Sequence, residues 1–330
     1  MARILITARF DRESVARLRG EHEVTFESWQ DTGVFPTGDV LAGRLNDGGY
    51  DIYANEGDKV PASVIEQLRV TRLICVARAT PDNVDVAAAT RAGIVVTNSP
   101  GRNAVAVAEY TIGLMLDLLR RITASNRLVL ADAWEFRRFS ELEGSELKGR
   151  TAGLVGVGAI GREVARRLRA FEMRIVGYDP YADAALAASA GVELVSLDQL
   201  LGESDVVSIH AAVTPETREM IGAREIARMK PTAYFVNTAR AAITDERALY
   251  EALRDRRIAG AALDVFVDEP VTRENPLATL DNVLVTPHLG GATREVVTNH
   301  SRMIEEDVRA YVGGRCPPRA VNPEVWGNRE

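Results

Sequence analysis

Two groups of residues in this 330-residue chain have the types and spacing to do chemistry. The first is Gly156-Val157-Gly158-Ala159-Ile160-Gly161. It continues directly from the apolar run Ala152-Gly153-Leu154-Val155 and leads into a helical pattern, Arg162 to Arg169. Glycine triplets are common in turns, but a strand before and a helix after are what a dinucleotide fingerprint requires. Gly156 permits a tight turn, Gly158 lets backbone approach a pyrophosphate, and Gly161 lets the helix pack close to the strand. The helix opened by Ala159 and Ile160 offers free N–H groups and a partial positive charge to phosphates. Asp179 ends the following strand candidate, where a carboxylate accepts hydrogen bonds from ribose hydroxyls and repels a 2′-phosphate, favouring NAD over NADP.

The second group is Arg240, Glu269 and His288, each closing or following an apolar run. Histidine suits proton transfer near neutral pH. A neighbouring carboxylate orients an imidazole and stabilises its protonated form. A guanidinium grips a carboxylate and polarises an adjacent oxygen. Together these are the groups that hydride exchange at C2 of a hydroxy acid needs. Taken alone, each has a plainer reading: Arg240 a surface charge, Glu269 a turn residue before Pro270, His288 a structural histidine. His210, also at a strand end, competes for the proton role, whereas His22 and His300 have weaker contexts.

These residues need a scaffold that gathers strand ends. Ile4–Ile6, Asp51–Tyr53, Leu73–Val76 and Ile94–Val96 read as buried strands, with Ser14–Arg19, Pro61–Leu68 and Val84–Arg91 as helices between them. The pattern restarts after Arg150, with strand candidates at Ala152–Val155, Arg174–Tyr178, Val206–His210, Ala233–Asn237, Gly260–Val265 and Val283–Thr286. Such alternation predicts parallel sheets covered on both faces. Asn103 to Leu130 reads as one or two helices, Ala292 to Tyr311 as another, and the segment from Pro317 to Glu330 as irregular.

Composition sets the outer bounds. Hydrophobic residues make up 46% and charged residues 26%, which excludes disordered and collagen-like classes. A net charge of −7 argues against nucleic acid as a partner. No apolar stretch approaches bilayer length, and Ile4–Ile6 is too short for a signal-peptide core. Two cysteines, Cys75 and Cys316, form neither a disulfide framework nor a zinc cluster, so a reducing cytoplasm and no metal are expected.

The motifs named above, joined by Tyr178-Asp179-Pro180, Asn237-Thr238-Ala239-Arg240, Ala262-Leu263-Asp264-Val265-Phe266, Glu269-Pro270 and Pro287-His288-Leu289-Gly290-Gly291, form a highly specific ordered set. Over nearly its whole length the sequence resembles the D-isomer-specific 2-hydroxyacid dehydrogenases, most closely their phosphoglycerate dehydrogenase-like branch. The resemblance implies two doubly wound parallel-sheet domains with a cleft between them. A flavodoxin-like substrate domain would comprise residues 1–101 plus 292–330, and a Rossmann NAD domain residues 102–291. It implies Arg240 as substrate binder, His288 as acid/base and Glu269 as its partner. It sets His210 near the cofactor, Asp264 on the nicotinamide carboxamide, and Thr238 and Gly290 along the cofactor site. It further implies a homodimer through the NAD domain and the segment from Asn103 to about Leu147.

The expected activity is NAD-dependent hydride transfer to or from a small anionic 2-hydroxy or 2-keto acid of the phosphoglycerate, glycerate/hydroxypyruvate or glyoxylate type. The alternatives are an NAD-sensing, corepressor-like binding protein without turnover and, more remotely, a formate- or phosphite-type donor. The sequence departs from the family in the substrate loop. Arg78, Ala79 and Thr80 stand at its start; at Ala79 and Thr80 relatives often carry glycine, and side chains there restrict positive φ. Asp82 adds a negative charge. Arg78 and Arg102 are candidate anion binders; Trp134, Arg137 and Arg138 are candidates to reach a partner subunit's cleft, with a dimer-surface patch as the plainer reading. With the sequence ending at Glu330, no appended regulatory domain is expected.

Overall fold

The computed structural model describes residues 1–135 and 142–327. The chain divides into two compact units, Met1–Arg102 with Thr293–Glu330, and Asn103–Ala292. The smaller unit holds β1 (Arg3–Ile6), β2 (Glu23–Phe26), β3 (Ile52–Asn55), β4 (Leu73–Val76) and β5 (Val95–Thr97). All pair in parallel in the order β2-β1-β3-β4-β5, a flavodoxin-like sequence of strands. Alternate side chains feed two cores. Ile4, Ile6, Ile52, Ala54 and Cys75 pack with Val15, Leu18, Ile304 and Val308 on one face. Leu5, Tyr53, Ile74 and Val76 pack with Leu41, Leu45 and Val64 on the other. Covered faces explain why these strands read as continuous apolar runs rather than alternating ones.

The larger unit holds β6 (Thr151–Val155), β7 (Arg174–Tyr178), β8 (Glu193–Leu194), β9 (Val206–Ile209), β10 (Tyr234–Asn237), β11 (Gly260–Leu263) and β12 (Val283–Val285). Their order, β8-β7-β6-β9-β10-β11-β12, is again wholly parallel and doubly wound, and neither sheet closes into a barrel. The order reverses between β6 and β9. Ligands of open α/β sheets bind beyond the carboxyl ends of strands at such a reversal.

Two strands were not anticipated, β2 and β8. Both lie at sheet edges and bury little: Glu23–Phe26 contains no buried residue, and both residues of Glu193–Leu194 are exposed. Without two covered faces they lack the apolar run by which the inner strands announce themselves. Asn103 to Leu130 forms two helices, Ala104–Arg120 and Ile122–Leu130, broken where Arg121 adopts φ +55°. The C-terminal segment is more ordered than expected. Thr97 bridges Ala320 and a short helix spans Glu324–Gly327. Among the described residues, no helix is long and apolar enough to cross a membrane.

Candidate active site

The glycine turn lies at the β6/β9 reversal. Gly156 has φ +96°, and a Cβ there would stand 2.5 Å from the Ala211 nitrogen. A Cβ on Gly161 would stand 2.3 Å from the Gly156 carbonyl oxygen. Both positions therefore need glycine for close backbone approach. Gly158 differs: nothing lies within 4 Å of where its Cβ would be. It caps the helix Ala159–Ala170, whose N-terminus receives no side-chain cap, so the amides of its first turn face open space. Asp179 is tied to this turn. Its Oδ2 accepts the Val157 amide at 2.9 Å and its Oδ1 the Tyr181 amide at 2.9 Å, leaving lone pairs free for hydroxyls. A diphosphate with a ribose beside it fits this cradle.

At the ends of β10, β11 and β12 the structure brings the proton-transfer group together. His288 Nδ1 lies 2.9 Å from Glu269 Oε2 and 3.2 Å from Oε1. Nδ1–H therefore donates to the carboxylate, and Nε2 is left to exchange a proton elsewhere. Burial pushes the Glu269 carboxyl up. The hydrogen bond and charge of His288, the Phe266 amide and the charge of Arg240 outweigh it and hold the carboxyl below its usual range. Arg240 is exposed, and its Nη1 donates to the Ala239 carbonyl at 2.7 Å. Asn237 folds the turn that carries it, accepting the Ala239 amide and donating to the Arg240 carbonyl.

His288 has φ +56°, a left-handed conformation that non-glycine residues seldom adopt. Asp264 holds it there. This carboxylate is 1% exposed. Its Oδ1 accepts the Thr286 hydroxyl at 2.7 Å and the Leu289 amide at 2.9 Å, and its Oδ2 accepts the Gly290 amide at 2.8 Å. Asn237 and Asp264 lie within the sequence motifs, but the positioning role of each was not anticipated. Their signal was a polar residue at the end of an otherwise apolar strand.

His210 stands apart from the pair. Burial pushes its ring down to about 4, so it is neutral at working pH. Its Nε2 lies 2.9 Å from the Ser208 hydroxyl, and it packs beneath the glycine turn. Thr238 is buried and shares a 2.8 Å hydrogen bond with Thr111, whose hydroxyl donates to the Val107 carbonyl.

The candidate substrate loop belongs to the smaller unit. Neither Ala79 nor Thr80 has positive φ, so their side chains impose none of the backbone strain expected from the missing glycines. Their amides donate to no group among the described residues. Asp82 pairs with Arg78 at 3.3 Å, so its negative charge is spent on a neighbour. Trp134 is exposed, while Arg137 and Arg138 lie outside the described residues.

Residues 112–290 match the family described as D-isomer specific 2-hydroxyacid dehydrogenase, NAD binding domain. The chain is 39% identical to a D-3-phosphoglycerate dehydrogenase of Methanocaldococcus jannaschii over 98% of its own length and 60% of that protein's. It is 36% identical to a glyoxylate reductase of Korarchaeum cryptofilum, covering 98% of this chain and 96% of the relative. A crystal structure of the TT0316 protein from Thermus thermophilus superposes with a TM-score of 0.85 at 34% identity, covering 97% of this chain and 99% of that one. The chain thus spans little more than half the length of the phosphoglycerate dehydrogenases it matches.

Proposed function

The chain belongs to the D-isomer-specific 2-hydroxyacid dehydrogenase family, and we propose that it exchanges hydride between NAD and C2 of a small 2-hydroxy or 2-keto acid. The observation that carries this reading is the 2.9 Å His288–Glu269 pair, formed at strand ends in the sheet that also presents the open glycine turn. When bound, the reduced nicotinamide supplies a hydride to the keto carbon. Gly156, Gly158, Ala159, Ile160, Gly161 and Asp179 hold the dinucleotide, with His210, Thr238, Asp264 and Gly290 along its path. Arg240 holds the substrate carboxylate and polarises the C2 oxygen. His288 delivers the proton from Nε2 to that oxygen, and Glu269, already ionised, stabilises the imidazolium beforehand. Arg78 and the free amides of Ala79 and Thr80 are the candidate carboxylate-binding groups of the smaller unit.

Positioned proton transfer contributes about 10²–10⁴-fold. His288→Asn is expected to lose turnover by that factor while NADH still binds, as measured by assays on a panel of 2-keto acids and by fluorescence titration. Undiminished turnover in the variant removes His288 from the mechanism. The corepressor-like alternative finds no support among the named relatives, which are enzymes. We also infer a homodimer in which the larger unit meets its copy. The helix Ile122–Leu130 buries no side chain and exposes Ile122, Val129 and Leu130, which supports this. The free cysteines Cys75 and Cys316 suit a reducing compartment such as the cytoplasm.

A further inference from the structure

The segment of the larger unit that carries Glu269 is held by few contacts. It leaves β11 at Asp264, whose amide donates to the Asn237 carbonyl at 3.0 Å, and Val265 and Phe266 are buried. From Val267 to Pro270 the chain is exposed. Two amides of this stretch are engaged. The Phe266 amide donates to Glu269 Oε1 at 3.1 Å, within the segment itself, and the Val267 amide donates to Glu246 Oε1 at 2.8 Å. Among the described residues, only the second bond ties the backbone of residues 265–271 to another element.

Packing does not replace that bond. Between the helix Glu246–Arg254 and the segment 268–277 lies a cavity of about 550 Å³, whose lining includes Glu246, Tyr250, Asp268, Pro270, Thr272 and Leu277. Pro270 thus has open volume beside it, and a void supplies no contacts to hold the chain. Glu246, by contrast, stands on a firmly seated helix. Asp245 caps that helix by accepting the Ala248 amide at 3.0 Å, and Ala248, Leu249, Ala252 and Leu253 are buried in the core of the larger unit. The helix follows closely on Arg240, with the short turn Ala241–Ile243 between them. Glu246 therefore links the segment bearing Arg240 to the segment bearing Glu269. Burial pushes the Glu246 carboxyl up, the Val267 amide opposes this, and the charge of Asp268 adds to it. Burial and a like charge both penalise the ionised form, so the position calls for an acceptor oxygen rather than a negative charge.

We propose that Glu246 is a positioning residue for the hydride-transfer reaction: by holding the Val267 amide it fixes the Glu269 carboxylate against His288 Nδ1 and so sets the imidazole for proton delivery. This rests on the reading of the chain as a 2-keto acid reductase. Glu246 acts through Glu269 and touches no reacting atom.

Three substitutions in the full chain test it. Glu246→Gln keeps an acceptor at the Oε1 position, Glu246→Asp keeps the charge but withdraws the oxygens by one methylene, and Glu246→Ala removes both. Each is compared with wild type in steady-state reduction of glyoxylate and hydroxypyruvate by NADH. Each is also compared by the downfield Nδ1–H proton resonance of His288 in the NADH-saturated protein, identified by its loss in His288→Asn. Misplacing a reacting group by about 1 Å costs up to about 10²-fold. Glu246→Asp and Glu246→Ala are therefore expected to lose about 10–100-fold in kcat with KM little changed, and their His288 resonance should move upfield or broaden away. Glu246→Gln should restore most of both. Unchanged kcat and resonance in Glu246→Asp, or a Glu246→Gln as impaired as Glu246→Ala, overturns the inference while leaving the reductase reading intact. If Glu246→Ala does not fold, Glu246→Asp, which keeps a negative charge in the first helical turn, decides alone. If the wild type reduces no 2-keto acid, the reductase reading fails and the resonance decides: kept in Glu246→Gln and lost in Glu246→Asp, it upholds the role of Glu246. A resonance unmoved in Glu246→Asp, or absent from the wild type, overturns that role.

Discussion

His288 shows how little of a catalytic residue is its own. The imidazole is useful because Glu269 orients Nδ1 and because its backbone is held at φ +56°. Backbone in such a region costs of order 1–3 kcal/mol, a cost the surrounding structure must cover. Glu269→Gln is expected to keep the hydrogen-bonding shape and lose the charge that stabilises the imidazolium. Reduction should slow by about 10²-fold, near the lower end of what positioned proton transfer contributes. A kcat within twofold of wild type would show that Glu269 only fills space. The residue types of this site were legible in the sequence, since Arg240, Glu269 and His288 each follow an apolar run. The choice between His288 and His210 was not. Both end strands, and only burial and neighbours distinguish a ring held near 4 from one that faces a carboxylate.

At the scale of elements, the decisive piece is the turn 286–290, hung from β11 by Asp264. Three donors converge on one carboxylate. Asp264→Asn replaces one acceptor oxygen with an amide that cannot accept, leaving buried donors facing a donor. Such an unsatisfied buried group costs about 1–3 kcal/mol. The variant should melt lower and lose turnover together, measured by calorimetry and steady-state assay, and unchanged melting would contradict the anchoring role. The glycine turn makes the opposite case, where sequence pattern sufficed. A strand, a glycine triplet and a helix are contiguous, so their geometry is local. Gly161→Ala puts a Cβ against the Gly156 carbonyl, which is backbone and cannot swing away. Overpacking of this kind costs about 1–3 kcal/mol, and NADH affinity should fall with it. Two of the four edge strands were illegible: β2 and β8 bury none of their own side chains, whereas β5 and β12, also at edges, bury apolar residues and read as strands.

Across the whole molecule, acid should act differently on the two units. In the larger one, His210 is held near 4 by burial, below the ordinary 6.5. Folding therefore favours its neutral form, and that stability is intact above pH 6.5 and lost as pH falls toward 4. The full loss is about 3 kcal/mol. In the smaller unit, burial and the Arg102 charge hold His300 near 4 as well. There Asp307, raised to about 6 mainly by burial, works in reverse. Its protonated form is favoured on folding, so its contribution is present at low pH and lost as pH rises through 6. The two largely cancel between pH 6 and 4. Calorimetry over that range should find the larger unit's transition falling with acid, and His210→Gln should flatten the fall; parallel slopes for variant and wild type would refute the assignment. What the sequence alone determined was whatever is written in consecutive residues: inner strands with two covered faces, the dinucleotide turn and the types of group at strand ends. The tertiary structure alone decided which of those groups meet. The carbonyl of Arg9 takes the imidazole of His300 from the far end of the chain, and Asp264 reaches the turn beyond the next strand. Periodicity reports which face of an element is apolar, whereas a hydrogen-bond partner is chosen by where the elements come to lie.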